Sequence, residues 1–596
     1  MSNTYFHADE VKTPYWNNKI ASRMLPFLKP YKLNMAAAIL LIFCDTAATT
    51  SLPFFLAKAV DEGIKNTSST LLMKYVTLYI IGHIACFLIV AMRDRLLQYT
   101  GNYMLHDMRN KLFAHIQKLP ISFFDRNPVG RLVIRVTNDV TTMSELFSGT
   151  LVSVLSEIFI MLGIGSMMFY LHPMLTLLTL LTTPALVFLA YKIRSRMHEA
   201  YRLSRVRLAT LNSSLAENLS GMNVIHIFNQ ENSRSEKFDK MNKELRDAEL
   251  KSIYYNSLFV PCIRLFSSVS LAILLLYGGI LTLNSAISVG VFIAFISYVQ
   301  SFFEPVRHIS EQLSVFQSAM ASAERVFDML DEKPETDLET GKQFEKLNSC
   351  IEFKNLSFCY NPPKKVLKNV SFKIKKGEKI AVVGHTGAGK TTISSVLKRF
   401  YDYNEGNILI DGTELKDYSK SSLRYKIGLI QQDVNIFSGS ILNNIFLANN
   451  EESQEINKIK LEKIVKELEM EDLLKKLPNG IHTEIHERGK NISAGQRQLI
   501  AFSRALATDP EILILDEATS SVDSETEAVI QRAVQKLTKN RTSLVIAHRL
   551  STIKNCDRIL MLHNGSLVEE GTHEELLSNR QYYHKLYELQ FAKQEQ

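Results

Sequence analysis

Gly384-His385-Thr386-Gly387-Ala388-Gly389-Lys390-Thr391 follows the apolar run Ile380-Ala381-Val382-Val383 and leads into a helical pattern from Thr392 to Phe400. Strand, glycine-rich turn and helix in that order form the context of a phosphate-binding loop. The glycines let backbone N–H groups converge on phosphate oxygens, and Lys390 neutralises their charge. The Thr391 hydroxyl can ligate Mg²⁺ at the start of a helix whose dipole favours anions. A glycine-rich turn without a ligand is the alternative, and the sequence downstream argues against it.

Ile512-Leu513-Ile514-Leu515 reads as a buried parallel strand that delivers Asp516-Glu517 to its carboxyl edge, where open α/β sheets bind ligands. In nucleotide hydrolysis Asp516 suits the Mg²⁺ shell, and Glu517 can polarise the attacking water. An acidic pair after a strand is otherwise a common helix N-cap. A third apolar strand, Val545-Ile546-Ala547, ends in His548, a candidate contact to the γ-phosphate or the water. Ile492-Ser493-Ala494-Gly495-Gln496 precedes the helical run Arg497 to Ala507 and offers a second anion site at a helix start, or an ordinary helix entry.

In order and spacing these motifs resemble the nucleotide-binding domain of the ATP-binding cassette (ABC) family. The resemblance implies that Gly384 to Thr392 (with His385, Thr386, Gly387, Ala388, Gly389, Lys390 and Thr391) cradles ATP and that Tyr360 stacks on adenine. It makes Gln432 the lid glutamine linking Mg²⁺ and water to the membrane domain, and Ser493, Gly495 and Gln496 the signature that contacts the partner's nucleotide. Asp516 and Glu517 match the Walker B aspartate and the catalytic glutamate, Asp523 the D-loop, and His548 the switch histidine. The implied metal ligands are Thr391, Gln432 and Asp516, and the implied catalytic set is Glu517, His548 and Gln432. Glu484 to Gly489 looks like the cross-contact loop of exporters. The signature departs from the family at Ile492 and Ala494, where Leu and Gly are usual. The similarity runs from about Ile351 to the C-terminus.

The chain of 596 residues leaves an N-terminal part of comparable size. Apolar stretches long enough for a bilayer, which needs roughly 20 residues, occur at about 34–57, 71–92, 148–171, 174–192, 258–283 and 286–304. Six spans are expected. Connections after spans one, three and five are short and almost free of Lys and Arg, whereas the other two read as long basic loops, with Arg93 to Arg135 in one and Lys192 to Arg207 opening the other. The positive-inside rule then places these loops, the N-terminus and the cassette in the cytoplasm, in a multi-pass protein of the cytoplasmic membrane. A net charge of +8 is accounted for by juxtamembrane Lys and Arg, so no nucleic-acid partner is implied.

Met1 to Lys19 has no apolar core typical of a signal peptide. Trp16 to Leu28 reads as a short amphipathic helix on the membrane surface, with a solvent-exposed helix as the alternative. The six cysteines show no paired or metal-like spacing and read as reduced. Phe123 to Gly130, where Pro128 and Gly130 should break a helix, and Glu217 to Phe228 resemble the two coupling segments of ABC exporters. Charge at membrane depth is costly and marks a cavity or a partner; Asp45, His83, Glu157 and Arg264, the last after an expected break at Pro261, are the candidates. Arg264 paired with Asp45 or Glu157 is an equally good structural reading.

The expected architecture is a membrane α-helical bundle of six transmembrane helices (1–330), a linker (331–349) and an α/β P-loop nucleotide-binding domain (350–596). The resemblance, closest to multidrug-type half-transporters, implies ATP-driven export or flipping of amphipathic drugs or lipids by a dimer using ATP and Mg²⁺. A second half-transporter subunit is the implied partner, as a homodimer or, preferred here, a heterodimer. The alternatives are a peptide exporter, a non-hydrolysing channel or regulator, and a soluble-type ABC ATPase acting on DNA or ribosomes, which the spans argue against.

Overall fold

The structure, a computed structural model, describes residues 18–447, 454–475, 477–516, 524–547 and 550–590. Contacts divide the chain into an N-terminal unit, Met1–Gln117 with Pro128–Lys333, and a C-terminal unit, Lys118–Asn127 with Pro334–Gln596.

Among the described residues of the N-terminal unit six helices are long and apolar enough to cross a membrane: Asn18–Ile64, Ser69–Ile116, Val129–Leu171, Pro173–Ser220, Glu231–Leu283 and Val289–Asp331. Their 43 to 53 residues, at about 1.5 Å per residue, far exceed the roughly 30 Å of a hydrocarbon core. The apolar part of each therefore continues as polar helix, and the two basic stretches expected as loops are mostly such extensions. Arg93 lies inside Ser69–Ile116, and Lys192 to Arg207 lie inside Pro173–Ser220. What remains between them is short: a helix Ile121–Arg126 on one side and Met222–Ile227 on the other. The chain breaks at Asn127-Pro128 as expected, but Gly130 sits within the next helix, Val129–Ile134.

Pro261 does not end the fifth helix, which continues through it from Glu231 to Ile273. A proline removes one backbone donor, a loss that surrounding helices can accommodate. The three tight connections are closed by side-chain caps: Ser68 accepts from the Leu71 N–H, His172 Nδ1 from Leu175 and Ser288 from Val291. Asp61 ties the first helix to the sixth by accepting the Gly290 N–H at 2.9 Å and the Ser288 hydroxyl. Only glycine fits at 290, since a Cβ there would lie 2.2 Å from the Ala57 carbonyl oxygen.

The expected partner of Asp45 is corrected. Asp45 is buried and accepts from Arg93 on the second helix at 3.1 Å, and Arg93 also donates to Ser156 on the third at 3.3 Å. Arg264 is exposed and makes no ion pair among the described residues. Because a buried carboxylate without its partner costs far more than the pair contributes, Arg93→Ala should destabilise the N-terminal unit by about 3–5 kcal/mol, and Asp45→Asn on that background should restore most of it. Thermal unfolding of the detergent-solubilised chain measures both; an unchanged midpoint in the single variant contradicts the assignment.

The described residues of the C-terminal unit form two main sheets. The first contains β1 (Cys350–Phe358), β2 (Leu367–Lys375), β4 (Glu405–Ile410) and β5 (Thr413–Glu414), antiparallel in the order β2-β1-β4-β5. The second contains β3 (Lys379–Gly384), β6 (Ile427–Ile430), β9 (Ile512–Asp516), β10 (Thr542–Ile546), β11 (Arg558–His563) and β12 (Ser566–Gly571), in the order β12-β11-β3-β10-β9-β6. A small ladder joins β7 (Gly439–Ser440) to β8 (Glu484–Ile485). Apolar runs on both faces make β3 and β9 interior strands. Ile380, Val382, Ile512 and Ile514 pack toward the first sheet, while Ala381, Val383, Leu513 and Leu515 pack on the other face against helices, including Leu499 and Phe502.

One polar side chain is misplaced by ordinary rules. Lys398, just past the helix α2 (Lys390–Leu397), is 9 % exposed and makes no ion pair among the described residues, and burial, with Arg424 nearby, lowers its ammonium to about 8. The unfolded chain therefore binds more protons than the folded one between pH 8 and the ordinary lysine value, so this group adds stability as pH rises through that window and costs about 3 kcal/mol below it. Lys398→Met should raise the unfolding midpoint of the unit at pH 7 and flatten its rise from pH 8 to 10. Equal midpoints at pH 7 would contradict this.

Candidate functional site

The parallel register brings the proposed site together. Ile546 on β10 is level with Val382 on β3 and with Asp516 on β9, and Leu515 is level with Ile430 on β6. The loop after β3, Asp516, Ala547 after β10 and the residues after β6 thus share the carboxyl edge of one sheet.

The loop has the backbone that its glycines permit. Gly384, Gly387 and Gly389 lie at φ +152°, +81° and +101°. At Gly389 any side chain would also collide with Leu367, whose Cδ2 would lie 2.7 Å from the added Cβ. Gly389 is the residue before α2, so the first N–H groups of the helix face the loop. Lys390 is buried, and its ammonium donates to the carbonyls of Gly384 at 2.7 Å and His385 at 3.1 Å, which curls its charge over the loop. Burial lowers its pKa and Asp516 raises it, with burial the larger effect. The Ala388 N–H donates to the His385 carbonyl, and the Thr392 N–H to Gly389. Thr386 lies in the same turn.

Thr391 donates its hydroxyl to Asp516 at 3.3 Å. A hydroxyl and a carboxylate at a helix start suit Mg²⁺, a hard cation that keeps part of its water shell and takes few protein oxygens. Gln432 lies exposed two residues past β6, next to the strand that ends in Asp516. Tyr360 is 41 % exposed, donates to the Thr392 hydroxyl at 3.3 Å and meets Tyr401 edge-on at 4.8 Å. The ring beside the phosphate loop is therefore presented to solvent and backed by a second ring.

The signature forms the N-terminus of a different helix, α3 (Ala494–Ala507). Ser493 caps it, accepting from the Gln496 N–H at 3.2 Å, while the Gln496 side chain accepts from the Ser493 N–H at 2.9 Å. Gln496 is thus occupied in a capping box, and Gly495 is buried. Ser493 remains exposed beside the orphan donors of the first turn. Glu517, Asp523 and His548 lie outside the described residues, as does the side chain of Arg488 in the Glu484 to Gly489 segment.

One residue that sequence reading left without a role stands beside this site. Tyr401, shortly after α2, donates its hydroxyl to Asp125 of the segment Lys118–Asn127, which belongs to the same unit. Burial, then Asp125, raises the phenol's pKa, so the donor persists across neutral pH. Nothing local signals a pair this distant in sequence.

A glycine-rich phosphate loop and a Walker-type aspartate on one sheet edge, in the same chain as a set of helices long enough to span a membrane, define an ATPase joined to a membrane domain. The family profile of the ABC transporter transmembrane region matches residues 35–306, and that of the ABC transporter matches 367–520. The Bacillus subtilis ABC transporter ATP-binding protein YknV is 36 % identical over 595 residues, covering 99 % of this chain and 97 % of its own. The ATP-dependent lipid A-core flippase of Syntrophus aciditrophicus is 34 % identical, over 96 % of this chain and 94 % of its own. A probable multidrug resistance ATP-binding/permease protein of B. subtilis, YheH, is 38 % identical over 83 % and 73 %. The chain belongs to the ABC transporter family. It is a multi-pass exporter-type half-transporter whose ATP-binding domain couples ATP hydrolysis to transport.

Proposed function

We propose that this chain forms half of a dimeric exporter that moves amphipathic lipids or drugs outward across the cytoplasmic membrane, with the cassette and N-terminus in the cytoplasm. The observation that carries this reading is one chain holding six spans and a single phosphate loop, with its signature on a separate helix, so that a second signature must come from a partner. In this reading Lys390 and the N–H groups of Gly387 to Thr392 hold the ATP phosphates and Tyr360 stacks on the adenine. Ser493 and Gly495 face the partner's γ-phosphate. Thr391, Asp516 and Gln432 hold Mg²⁺, which when bound neutralises charge on the phosphates. Glu517 accepts the proton of the attacking water, and His548 steadies the γ-phosphate.

The second coupling segment supports a partner. Val224, Ile227 and Phe228 are more than half exposed on Met222–Ile227 and its end, an apolar knob suited to a groove on another subunit. The Asp125–Tyr401 bond supports coupling from the same chain, because it ties the segment between spans two and three to the ring that backs Tyr360. Tyr401→Phe and Asp125→Ala should keep basal ATPase activity within about twofold but lose most substrate stimulation and transport; full stimulation in both contradicts the role.

The subunit question is settled by turnover. Signature residue Ala494 faces the partner's nucleotide, and we favour a heterodimer. The isolated chain should then hydrolyse ATP slowly and gain activity on co-expression with a second half-transporter at equal cassette concentration. High, substrate-stimulated activity of the chain alone establishes the homodimer instead.

A further inference from the structure

Helix α1 (Asn18–Leu28) is the first part of Asn18–Ile64 and meets the long helix Lys32–Lys58 through a single turn, Lys29–Tyr31, where Tyr31 leaves helical geometry (φ −104°, ψ 14°) and the helix bends, with two unlike sides. One side is fixed to the bundle. Ile20 and Met24 are buried, Arg23 grips Asp331 with two bonds of 2.6 and 2.7 Å and lies 4.4 Å over the Phe327 ring, and Tyr31 donates to Asp107 at 2.6 Å. Asn34 adds a bond to Thr100 at 3.1 Å. The bend is therefore a built corner rather than a loose lead-in.

The other side is open and apolar. An open groove of about 710 Å³ runs along this side, lined by Leu25, Pro26, Leu28, Met35, Ala36 and Ile39, with Ser22, Lys29 and Lys32 beside them. Leu25, which lines this groove, is 60 % exposed, and Leu33 and Leu40 nearby are more exposed still. Neither Lys29 nor Lys32 has an ion pair or side-chain hydrogen bond among the described residues; of the acids that face α1 and its turn, Asp331 is engaged by Arg23 and Asp107 by Tyr31, and Asp328 also acts on Arg23. The lysines immediately precede the apolar stretch that begins at about residue 34, and lysines flanking a span are placed to meet lipid phosphates.

An apolar wall alone would accept any acyl chain; two uncompensated ammonium groups at its polar end select the charge of the headgroup. We propose that the corner between α1 and the first span is a binding site for one anionic phospholipid, with an acyl chain along Met35 to Ile39 and the phosphate on Lys29 and Lys32. Inorganic phosphate lacks the chain and should not suffice. The site uses none of the ATP-site residues and is independent of which molecule is transported.

Native mass spectrometry of the full chain in detergent, titrated with phosphatidylglycerol, with phosphatidylcholine of the same acyl chains and with inorganic phosphate, tests this. One phosphatidylglycerol per chain should bind at least about tenfold more tightly than phosphatidylcholine, and phosphate should show no saturable binding. Lys29→Gln/Lys32→Gln should weaken phosphatidylglycerol about tenfold or more, and Lys237→Gln/Lys240→Gln, which removes the same charge from exposed positions on the fifth helix, should not. Ala36→Trp, which fills the corner, should weaken both lipids. Should Ala36→Trp fail to fold, the lysine pair decides alone, because both side chains are exposed and carry no packing. Equal binding of the two lipids, unchanged affinity in the lysine variant, or no bound lipid at all, as when another segment of the chain fills the corner, overturns the proposal.

Discussion

Lys390→Ala should abolish ATP binding and hydrolysis while leaving the helix bundle inserted and folded. The ammonium is buried at the start of α2 and held over the loop by the Gly384 and His385 carbonyls, so no neighbouring cation can take its place. Truncating one member of a desolvated charge pair costs about 2–5 kcal/mol, which corresponds to at least roughly thirtyfold in affinity. Turnover should fall further, because charge on the γ-phosphate grows in the transition state and its positioning is lost. Equilibrium binding of a fluorescent ATP analogue, with thermal unfolding as a fold control, measures the effect. Wild-type affinity together with wild-type turnover would remove Lys390 from the phosphate site.

Glu517→Gln should separate binding from chemistry. Gln keeps the shape and one acceptor but does not take a proton, so the water loses its base while the nucleotide keeps every contact to the loop. General-base removal costs about 10²–10⁴-fold in rate, and ATP affinity should remain within about twofold. The expected signature is a chain that retains ATP under conditions in which the native protein has converted it to ADP. Normal steady-state hydrolysis by a dimer in which every cassette carries the substitution contradicts the role. With Lys390→Ala the two results form a pair: one variant fails to hold nucleotide, the other fails to release it as product.

The parts of the site that were legible in sequence are the local ones. Three glycines, a lysine and a hydroxyl within eight residues set their own backbone, and a strand of four apolar residues ending in Asp516 has one sensible position in a parallel sheet. Helix count was legible too, because apolar composition alone marks a stretch that must avoid water. Helix ends were not: polar residues such as Arg93 and Lys192 to Arg207 continue a helix without an apolar signal, so stretches that read as loops are extensions of the spans. Pro261 misled for a related reason, since a missing N–H is a weak perturbation inside a long packed helix.

Pairings across the fold were illegible. Asp45 could be matched by charge with Arg264, but only packing decides that the second and third helices bring Arg93 and Ser156 to it. Tyr401 and Asp125 are separated by 276 positions, and neither carries a local mark. Lys398 carries no sign of burial in the sequence, yet it is buried with Arg424 nearby. In each case the deciding quantity is what a side chain meets, not what it is.

The central claim is that ATP hydrolysis by this chain drives an amphipathic molecule across the bilayer. The most direct measurement uses proteoliposomes with the cassette facing outward and a fluorescent nitrobenzoxadiazole-labelled phospholipid in the outer leaflet, scored by protection from dithionite. With Mg²⁺ and ATP outside, the chain, alone or with its co-expressed partner, should increase the protected fraction with time, and Lys390→Ala should not. Robust ATP hydrolysis with no ATP-dependent rise in protection, for this lipid and for a panel of amphipathic dyes, would contradict the account.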